Sequence, residues 1–208
     1  MALVKYNDNS ISAISSAGQL ATGSLVPIKT LTASSSATLS FVDGSNDVVL
    51  DSTYPIYRFE FISIHPQNDG SGINFSFNGS TDSGSNYNVT KTTSSFFAQH
   101  SEGDDTDLRY EPSLDLAQDT GFQPLTNFQG NDNDQSSSGE MFLFNPSSTT
   151  FVKHFLTKTN NVTASDYSVN LFIGGYFNTT SAINGIQFKF GSGNIDSGTI
   201  KLYGIKDS

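Results

Sequence analysis

The sequence contains no cysteine and no tryptophan. Without cysteine, the chain can form no disulfide framework, no thiol nucleophile and no cysteine-based zinc site. Sugar-hydrolysing folds of this size usually present aromatic platforms, and tryptophan cannot supply one here. Long apolar runs are also missing. The longest, such as LFIGGYF, are too short to cross a bilayer, so we expect a soluble protein without membrane insertion.

Charge is scarce as well. Charged residues make up 14% of the chain, against about 25% in a typical soluble protein, and Ser, Thr, Asn, Gln and Gly take their place. The formal net charge is −10. A surface of that sign does not attract nucleic acid or anionic lipid, so we expect neither as a partner.

What the chain has in quantity is phenylalanine and tyrosine, 17 and 8 residues respectively. Many of them alternate with polar residues: Tyr57, Phe59 and Phe61 are separated by Arg58 and Glu60. An apolar residue at every second position is typical of a strand with one buried face. Similar runs with turn residues between them predict about nine to eleven strands. The sequence has no internal repeat of fixed period, which disfavours a propeller or a solenoid.

The last two strand-like runs flank the glycine-rich segment GSGNIDSG. Phe188 and Phe190 lie on one face of the first run, and Ile200 and Leu202 on one face of the second. Glycines with Asn and Asp between two alternating runs are typical of a hairpin connection. The sequence therefore predicts that these two strands pair as the final hairpin of an antiparallel sheet.

The domain prediction has two parts. Residues 1–23 show no sustained pattern, so we interpret them as an extended N-terminal arm or docking segment; a frayed terminus is the alternative. Residues 24–208 are predicted to form an all-β domain, an antiparallel two-sheet sandwich of jelly-roll type. Only the segment PSLDLAQDTG tolerates a short helical turn, and a polar excursion between strands explains it equally well.

Two acidic loops are candidate calcium sites, because calcium prefers six to eight oxygen ligands. Neither loop matches the twelve-residue calcium-binding pattern, and acidic residues in solvated turns are the simpler interpretation. No other cofactor is expected. The candidate ligands are Asp104, Asp105 and Asp107 in SEGDDTD, and Asp132 and Asp134 in GNDNDQSSSG.

No catalytic residue is predicted. His65, His100 and His154 are far apart and belong to no metal or nucleophile motif. Glycoside hydrolysis requires a pair of carboxylates, and nothing in the sequence brings two of the available glutamates together. Tyr110 and Tyr176 are able to stack on a sugar, although most aromatics here occupy core-type positions. The available glutamates are Glu60, Glu102, Glu111 and Glu140.

Three stretches of the chain resemble a group of small structural proteins encoded by marine bacteriophages, including those of cyanobacteria. These are MALVKYNDNSISAIS at the start, GNDNDQSSSGEMFLFNPSSTTFVKH in the middle, and YFNTTSAINGIQFKFGSGNIDSGTIKLYGIKDS at the end. The resemblance implies a virion component. No catalytic motif accompanies it, and no functional residue can be transferred.

Together these observations lead us to expect a non-enzymatic phage virion protein on the particle exterior, as a capsid decoration or a tail-fibre-like appendage. Its partners would be other virion proteins and further copies of itself, in a homotrimer. The alternative is a carbohydrate-binding module that recognises a host surface glycan. An endoglycosidase or depolymerase is a third hypothesis.

Overall fold

The computed structural model of the chain describes residues 24–70 and 72–206. The predicted N-terminal arm, residues 1–23, lies outside them. The described residues form twelve strands and no helix. The strands are β1 (Leu25–Ser36), β2 (Leu39–Val42), β3 (Ile56–Pro66), β4 (Phe75–Ser80), β5 (Lys91–Ser101), β6 (Thr106–Tyr110), β7 (Gln123–Pro124), β8 (Ser137–Phe144), β9 (Lys153–Val162), β10 (Tyr167–Phe177), β11 (Gly185–Phe190) and β12 (Ile195–Ile205).

The strands form two antiparallel sheets of unequal size. The larger has eight strands in the order β1-β12-β3-β8-β9-β10-β5-β6, and the smaller has four in the order β2-β11-β4-β7. Successive strands β1 to β4 alternate between the sheets, so the chain crosses the core repeatedly. The prediction of an all-β, two-sheet antiparallel sandwich is confirmed.

The core lies between the two sheets and is rich in aromatic rings. Tyr57, Phe59 and Phe61 of β3 are buried as their alternation predicts. Across from them, Phe188 of β11 packs against Phe59 with ring centroids 5.4 Å apart and against Phe61 at 5.3 Å. Fully burying such a side chain contributes about 1.5–3 kcal/mol, so each of these rings adds substantially to stability.

The large sheet extends well beyond the small one through β9, β10, β5 and β6. The inner face of this extension is covered by the segment 111–129, which bonds to it through polar groups. Ser95 Oγ donates to the Glu111 carbonyl at 2.6 Å, and Thr93 Oγ1 donates to Gln123 Oε1 at 2.7 Å. Buried polar groups need such partners, which explains why inner-facing positions of β5 and β9 carry Thr and Ser.

The prediction of a C-terminal hairpin is wrong. β11 pairs with β2 and β4 in the small sheet, whereas β12 pairs with β1 and β3 in the large one. The glycine-rich connection therefore crosses from one sheet to the other. Alternation identifies the buried face of a strand but not its neighbour, and two inward faces can meet across a core as well as lie side by side.

The segment PSLDLAQDTG contains no helix. Leu114 is 4% exposed and Thr93 Oγ1 accepts a hydrogen bond from the Leu116 N–H at 2.8 Å, so the segment is docked on β5. It is a polar excursion between strands, the alternative to a helical turn. Hydrogen bonds to β5 satisfy backbone groups of this segment that intrahelical hydrogen bonds would satisfy in a helix.

Candidate functional site

The outer face of the large sheet carries a row of side chains that runs across all eight strands. Each member of the row is the direct cross-strand partner of the next, so all of them share the face opposite the core. In spatial order they are Thr30, Lys201, Glu60, Glu140, Lys158, Phe172, Phe96 and Tyr110. After Thr30, the next four members are charged and the last three are aromatic; we call these the charged half and the aromatic half.

In the charged half, two carboxylates face each other on neighbouring strands. Glu60 of β3 and Glu140 of β8 are directly paired, and Arg58 ion-pairs with both, at 2.9 Å and 3.0 Å. Like charges placed directly opposite destabilise a sheet, and the guanidinium between them removes that repulsion. The same Arg58 lies over the ring of Phe142, 5.8 Å from its centroid.

The aromatic half consists of stacked rings. Phe172 of β10 and Phe96 of β5 have centroids 4.9 Å apart and an interplanar angle of 8°. Lys158 Nζ lies 5.7 Å from the centroid of Phe172 on the neighbouring strand. Phe96 is 49% exposed, although a phenylalanine ring would normally be buried.

A groove of about 420 Å³ lies beside these rings. Gly174 lines it, and the absence of a side chain there creates the depression: a Cβ at this position would lie 3.3 Å from Leu156 Cδ2. Phe96, Phe172 and Phe142 form the apolar lining. We call this depression the aromatic groove.

A second depression of about 470 Å³ adjoins the aromatic groove, because Glu140 and Lys158 line both. Its other polar side chains include Arg58, Asn160 and Asn170. An apolar wall beside carboxylate, amide, ammonium and guanidinium groups suits an amphipathic ligand with one apolar face and several hydroxyl groups.

Hydrolytic chemistry is not favoured by this arrangement, although it brings together two glutamates that are far apart in the sequence. Both Glu60 and Glu140 are engaged by Arg58. A glycosidase of either type needs one carboxyl group that stays protonated as the acid. Here one guanidinium contacts both carboxylates, which is the arrangement of a structural ion-pair cluster.

The other two glutamates lie elsewhere. Glu111 is 8% exposed; its Oε1 accepts from Ser113 Oγ at 2.6 Å and its Oε2 from Arg109 at 3.1 Å. The Ser113 hydrogen bond is the main cause of a lowered pKa for Glu111, with Arg109 adding to it. Glu102 is exposed in the β5–β6 loop. The four glutamates are thus not one site.

The candidate calcium ligands of the first loop point to separate partners. Asp104 pairs with His100 at 3.1 Å, and Asp107 pairs with Arg109 at 3.2 Å. In this loop Asp105 makes contact through its backbone N–H, which donates to Ser101 Oγ at 3.0 Å.

The second loop behaves similarly. The Asp132 carbonyl accepts the Gln135 N–H at 2.8 Å, and Asp134 is exposed. Across residues 24–70 and 72–206, no three His, Asp or Glu side chains are grouped so as to hold a metal ion.

The histidines and tyrosines considered from the sequence are dispersed. His65 lies near Asp196, with Nδ1 3.8 Å from the carboxylate. His154 and Tyr176 are cross-strand neighbours beside the aromatic groove, with ring centroids 6.0 Å apart. Tyr110 ends the aromatic row, and its hydroxyl donates to Asp115, which raises the pKa of the phenol.

Phe96, Phe172, Arg58 and Lys158 were not predicted from the sequence as members of a surface site. A signal existed for the two rings. In TTSSFFAQH and NLFIGG, two or more apolar residues are adjacent within an alternating strand, so one of them must face outward. Periodicity carries no information on the strand order that places the outward rings side by side.

Two lysines are buried in the extension, which the sequence also did not indicate. Lys91 of β5 and Lys153 of β9 are both 0% exposed, and both are cross-strand partners of Phe177 on β10. Lys153 Nζ donates to the Thr179 carbonyl at 3.1 Å, and burial lowers its pKa. Lys91 Nζ donates to Asn78 Oδ1 at 2.8 Å and to the Val89 carbonyl at 2.9 Å.

Comparisons with protein-family models, curated proteins and solved structures find no match to this chain. Among the described residues, no helix is long and apolar enough to span a membrane. Functional inference therefore depends on strand order, surface chemistry and the resemblance noted in the sequence.

Proposed function

We propose that the protein is a non-enzymatic structural component of a bacteriophage particle, displayed on the particle exterior as a capsid decoration or a tail-fibre-like appendage. The strand order carries this proposal. Eight of the strands, counted one to eight in chain order, are β1, β2, β3, β4, β7, β8, β11 and β12. In the large sheet β1-β12-β3-β8 are the first, eighth, third and sixth of these, and in the small sheet β2-β11-β4-β7 are the second, seventh, fourth and fifth. This order supports a jelly roll, which is common in viral capsid and lectin domains.

The four remaining strands fit the same interpretation as two insertions. β5 and β6 follow the fourth jelly-roll strand, and β9 and β10 follow the sixth. Both pairs join the outer edge of one sheet and widen it. Such an enlarged face provides area for contact with a neighbouring molecule.

A jelly roll alone does not define a function, so the resemblance to marine phage structural proteins is the second support. The low content of charged residues is a third. Surface ion pairs weaken at high ionic strength, and a surface rich in hydroxyl and amide groups depends on them less. In this proposal, residues 1–23 bind other virion proteins and the domain assembles as a homotrimer.

The experiment is a side-chain-resolution map of purified particles, in which the chain is located by its GEMFLFNP segment. Density on the capsid lattice would identify a decoration protein, and density on the tail an appendage. Light scattering on the isolated chain, with a trimer expected, measures the assembly. Absence of the chain from purified particles would contradict the proposal.

A second candidate function, binding of a host surface glycan, is favoured by one observation: the aromatic groove adjoins a polar depression. Sugar rings have an apolar face that stacks on aromatic rings and hydroxyl groups that bond to amides and charged groups. A glycan array with the native chain and the Phe96→Ala and Phe172→Ala variants tests this. Phe151→Ala is the control, since Phe151 is exposed and does not line the groove. Binding no higher than background would remove this candidate and leave the structural role intact.

A further inference from the structure

The environment of Asn78 is unusual for a buried amide. Asn78 on β4 and Lys91 on β5 are both 0% exposed, and Lys91 Nζ lies 2.8 Å from Asn78 Oδ1. β4 belongs to the small sheet and β5 to the large one. We propose that Lys91 and Asn78 form an intramolecular isopeptide bond that joins the two sheets covalently.

The hydrogen bonds around Asn78 define which amide atom faces the lysine. Oδ1 accepts from Lys91 Nζ and from the Gly79 N–H, the latter at 2.8 Å. Nδ2 points the other way, towards the carbonyl oxygens of Tyr87, Thr120 and Gly121 at 2.8, 2.9 and 3.2 Å. Both contacts of Oδ1 are donors and all three of Nδ2 are acceptors, so the amide orientation is fixed.

These polar groups match the charges of the reaction that would form the bond. When an amine adds to an amide carbon, negative charge develops on the amide oxygen and positive charge on the nitrogen that leaves. The Gly79 N–H is aimed at the oxygen. Three carbonyl oxygens surround an amide nitrogen that has only two hydrogens, so one acceptor is left for the third hydrogen of departing ammonia. Fixed dipoles aimed at developing charge stabilise it most in a site without water.

The reaction balances without an additional reagent. The neutral amine of Lys91 attacks Cγ of Asn78, a C–N bond forms, and the carbonyl π electrons move to Oδ1. The carbonyl then re-forms, the Cγ–Nδ2 bond breaks, and the leaving nitrogen takes one proton from the attacking nitrogen. The products are a secondary amide between the two side chains and one molecule of ammonia.

The lysine is placed to react as a free amine. Burial lowers the pKa of Lys91 to about 8, with the negative charge of Asp119 opposing the shift. A neutral amine is therefore accessible near neutral pH. The ring of Phe177 lies on one side, with its centroid 5.8 Å from Nζ, and the backbone of Asp119 pairs with that of Lys91 at 2.8 Å and 3.1 Å. Lysine and amide are thus held in contact before reaction.

Lys153 provides a matched control. It is as fully buried as Lys91 and flanks the same Phe177, but its hydrogen bond goes to a backbone carbonyl, that of Thr179. If burial alone made a lysine form a crosslink, both Lys91 and Lys153 would be crosslinked. If the crosslink requires the amide of Asn78, only Lys91 is crosslinked.

Intact mass measurement of the purified full chain tests the proposal directly. We expect a mass about 17 Da below that calculated from the sequence, which corresponds to the loss of one ammonia. Lys91→Met and Asn78→Ala should each restore the full calculated mass, whereas Lys153→Met should keep the loss. A native chain at its full calculated mass would overturn the proposal, even if both variants failed to fold.

A tryptic digest of the denatured native chain separates the crosslink from succinimide formation, which causes the same mass change. Asn78 precedes Gly79, and a succinimide at that site also releases ammonia. Trypsin cleaves after Lys91 only if its ε-amine is free, so the crosslink leaves residues 59–109 as one peptide that lacks ammonia. Cleavage after Lys91, or a mass loss that persists in Lys91→Met, would show a succinimide and refute the isopeptide bond.

Discussion

Phe61 of β3 and Phe188 of β11 meet across the sandwich, with ring centroids 5.3 Å apart and an interplanar angle of 69°. Each comes from a different sheet, so their contact closes the core. Phe188 has four further aromatic neighbours. These are Phe41, Phe59, Phe75 and Phe77. One ring of the small sheet therefore contacts five others, three of them edge-to-face, and such aromatic contacts add to the stabilisation that burial provides.

The first prediction concerns this ring. Phe188→Ala should lower the free energy of unfolding by about 3–5 kcal/mol, because it removes a buried ring and leaves a cavity among rigid neighbours. Denaturant unfolding of the native chain and the variant measures the difference. Phe151→Ala is the control: Phe151 is 72% exposed, and its change should stay within about 0.5 kcal/mol. A loss of similar size in both variants would contradict this view of the core.

The second prediction compares adjacent glycines of β10. A Cβ at Gly175 would lie 2.7 Å from the Thr92 carbonyl oxygen and 2.5 Å from Thr93 Cγ2, whereas one at Gly174 would meet only Leu156 Cδ2, at 3.3 Å. Backbone cannot move aside as a leucine methyl can. Gly175→Ala should therefore destabilise the fold by about 1–3 kcal/mol, and Gly174→Ala clearly less. Thermal unfolding of the two variants measures this difference. An equal shift in both melting temperatures would show that close contact of Gly175 with the neighbouring strand does not cause the destabilisation.

The third prediction is a pH dependence. Asp82 accepts hydrogen bonds from the side chain and backbone N–H of Asn86 and from Ser80, and these lower its pKa from 3.8 to about 2. A carboxyl group whose pKa is lower in the folded state stabilises that state above pH 3.8, and the contribution disappears as pH falls towards 2. Asp82→Asn should therefore melt at a lower temperature than the native chain near neutral pH, and the difference should shrink on acidification. Asp134→Asn, at an exposed turn, should show little difference at either pH.

Much of this fold follows from alternation alone. The buried faces of β3, β11 and β12 lie where the sequence predicts, because a strand with one apolar face must turn that face to a core. Partner choice does not follow. The same alternation in β11 and β12 suits a hairpin or two facing strands, and only the packing of the whole core distinguishes the two.

The candidate site was less accessible to sequence reasoning. The two rings of the stack, Phe96 and Phe172, are 76 positions apart, and their contact depends on the pairing of β5 with β10. Likewise, Lys91 and Asn78 are close in sequence but are brought into contact by strands of different sheets. Single outward or buried residues can be predicted from periodicity, whereas cross-strand combinations of them require the topology.

The fourth prediction addresses calcium. At the β5–β6 loop, Asp104 pairs with His100 and Asp107 pairs with Arg109, and among the described residues no cluster gathers three acidic or histidine side chains. Millimolar calcium should therefore leave the melting temperature of the native chain unchanged, and chelation should have no effect. A rise that is lost in Asp104→Asn or Asp132→Asn would instead establish one of the two loops as a site.

The fifth prediction tests the ion-pair cluster on the outer face. Arg58→Gln leaves Glu60 and Glu140 directly opposite each other without the cation that bridges them at 2.9 Å and 3.0 Å. Because these groups are partly exposed, the loss should be modest, about 1 kcal/mol, and smaller at high salt. Adding Glu140→Gln to that variant removes the repulsion, so it should recover part of the stability. If Arg58→Gln is neutral, the bridging ion pairs contribute nothing measurable to stability. If the second change destabilises the variant further, repulsion between the two glutamates is not the cause of the loss.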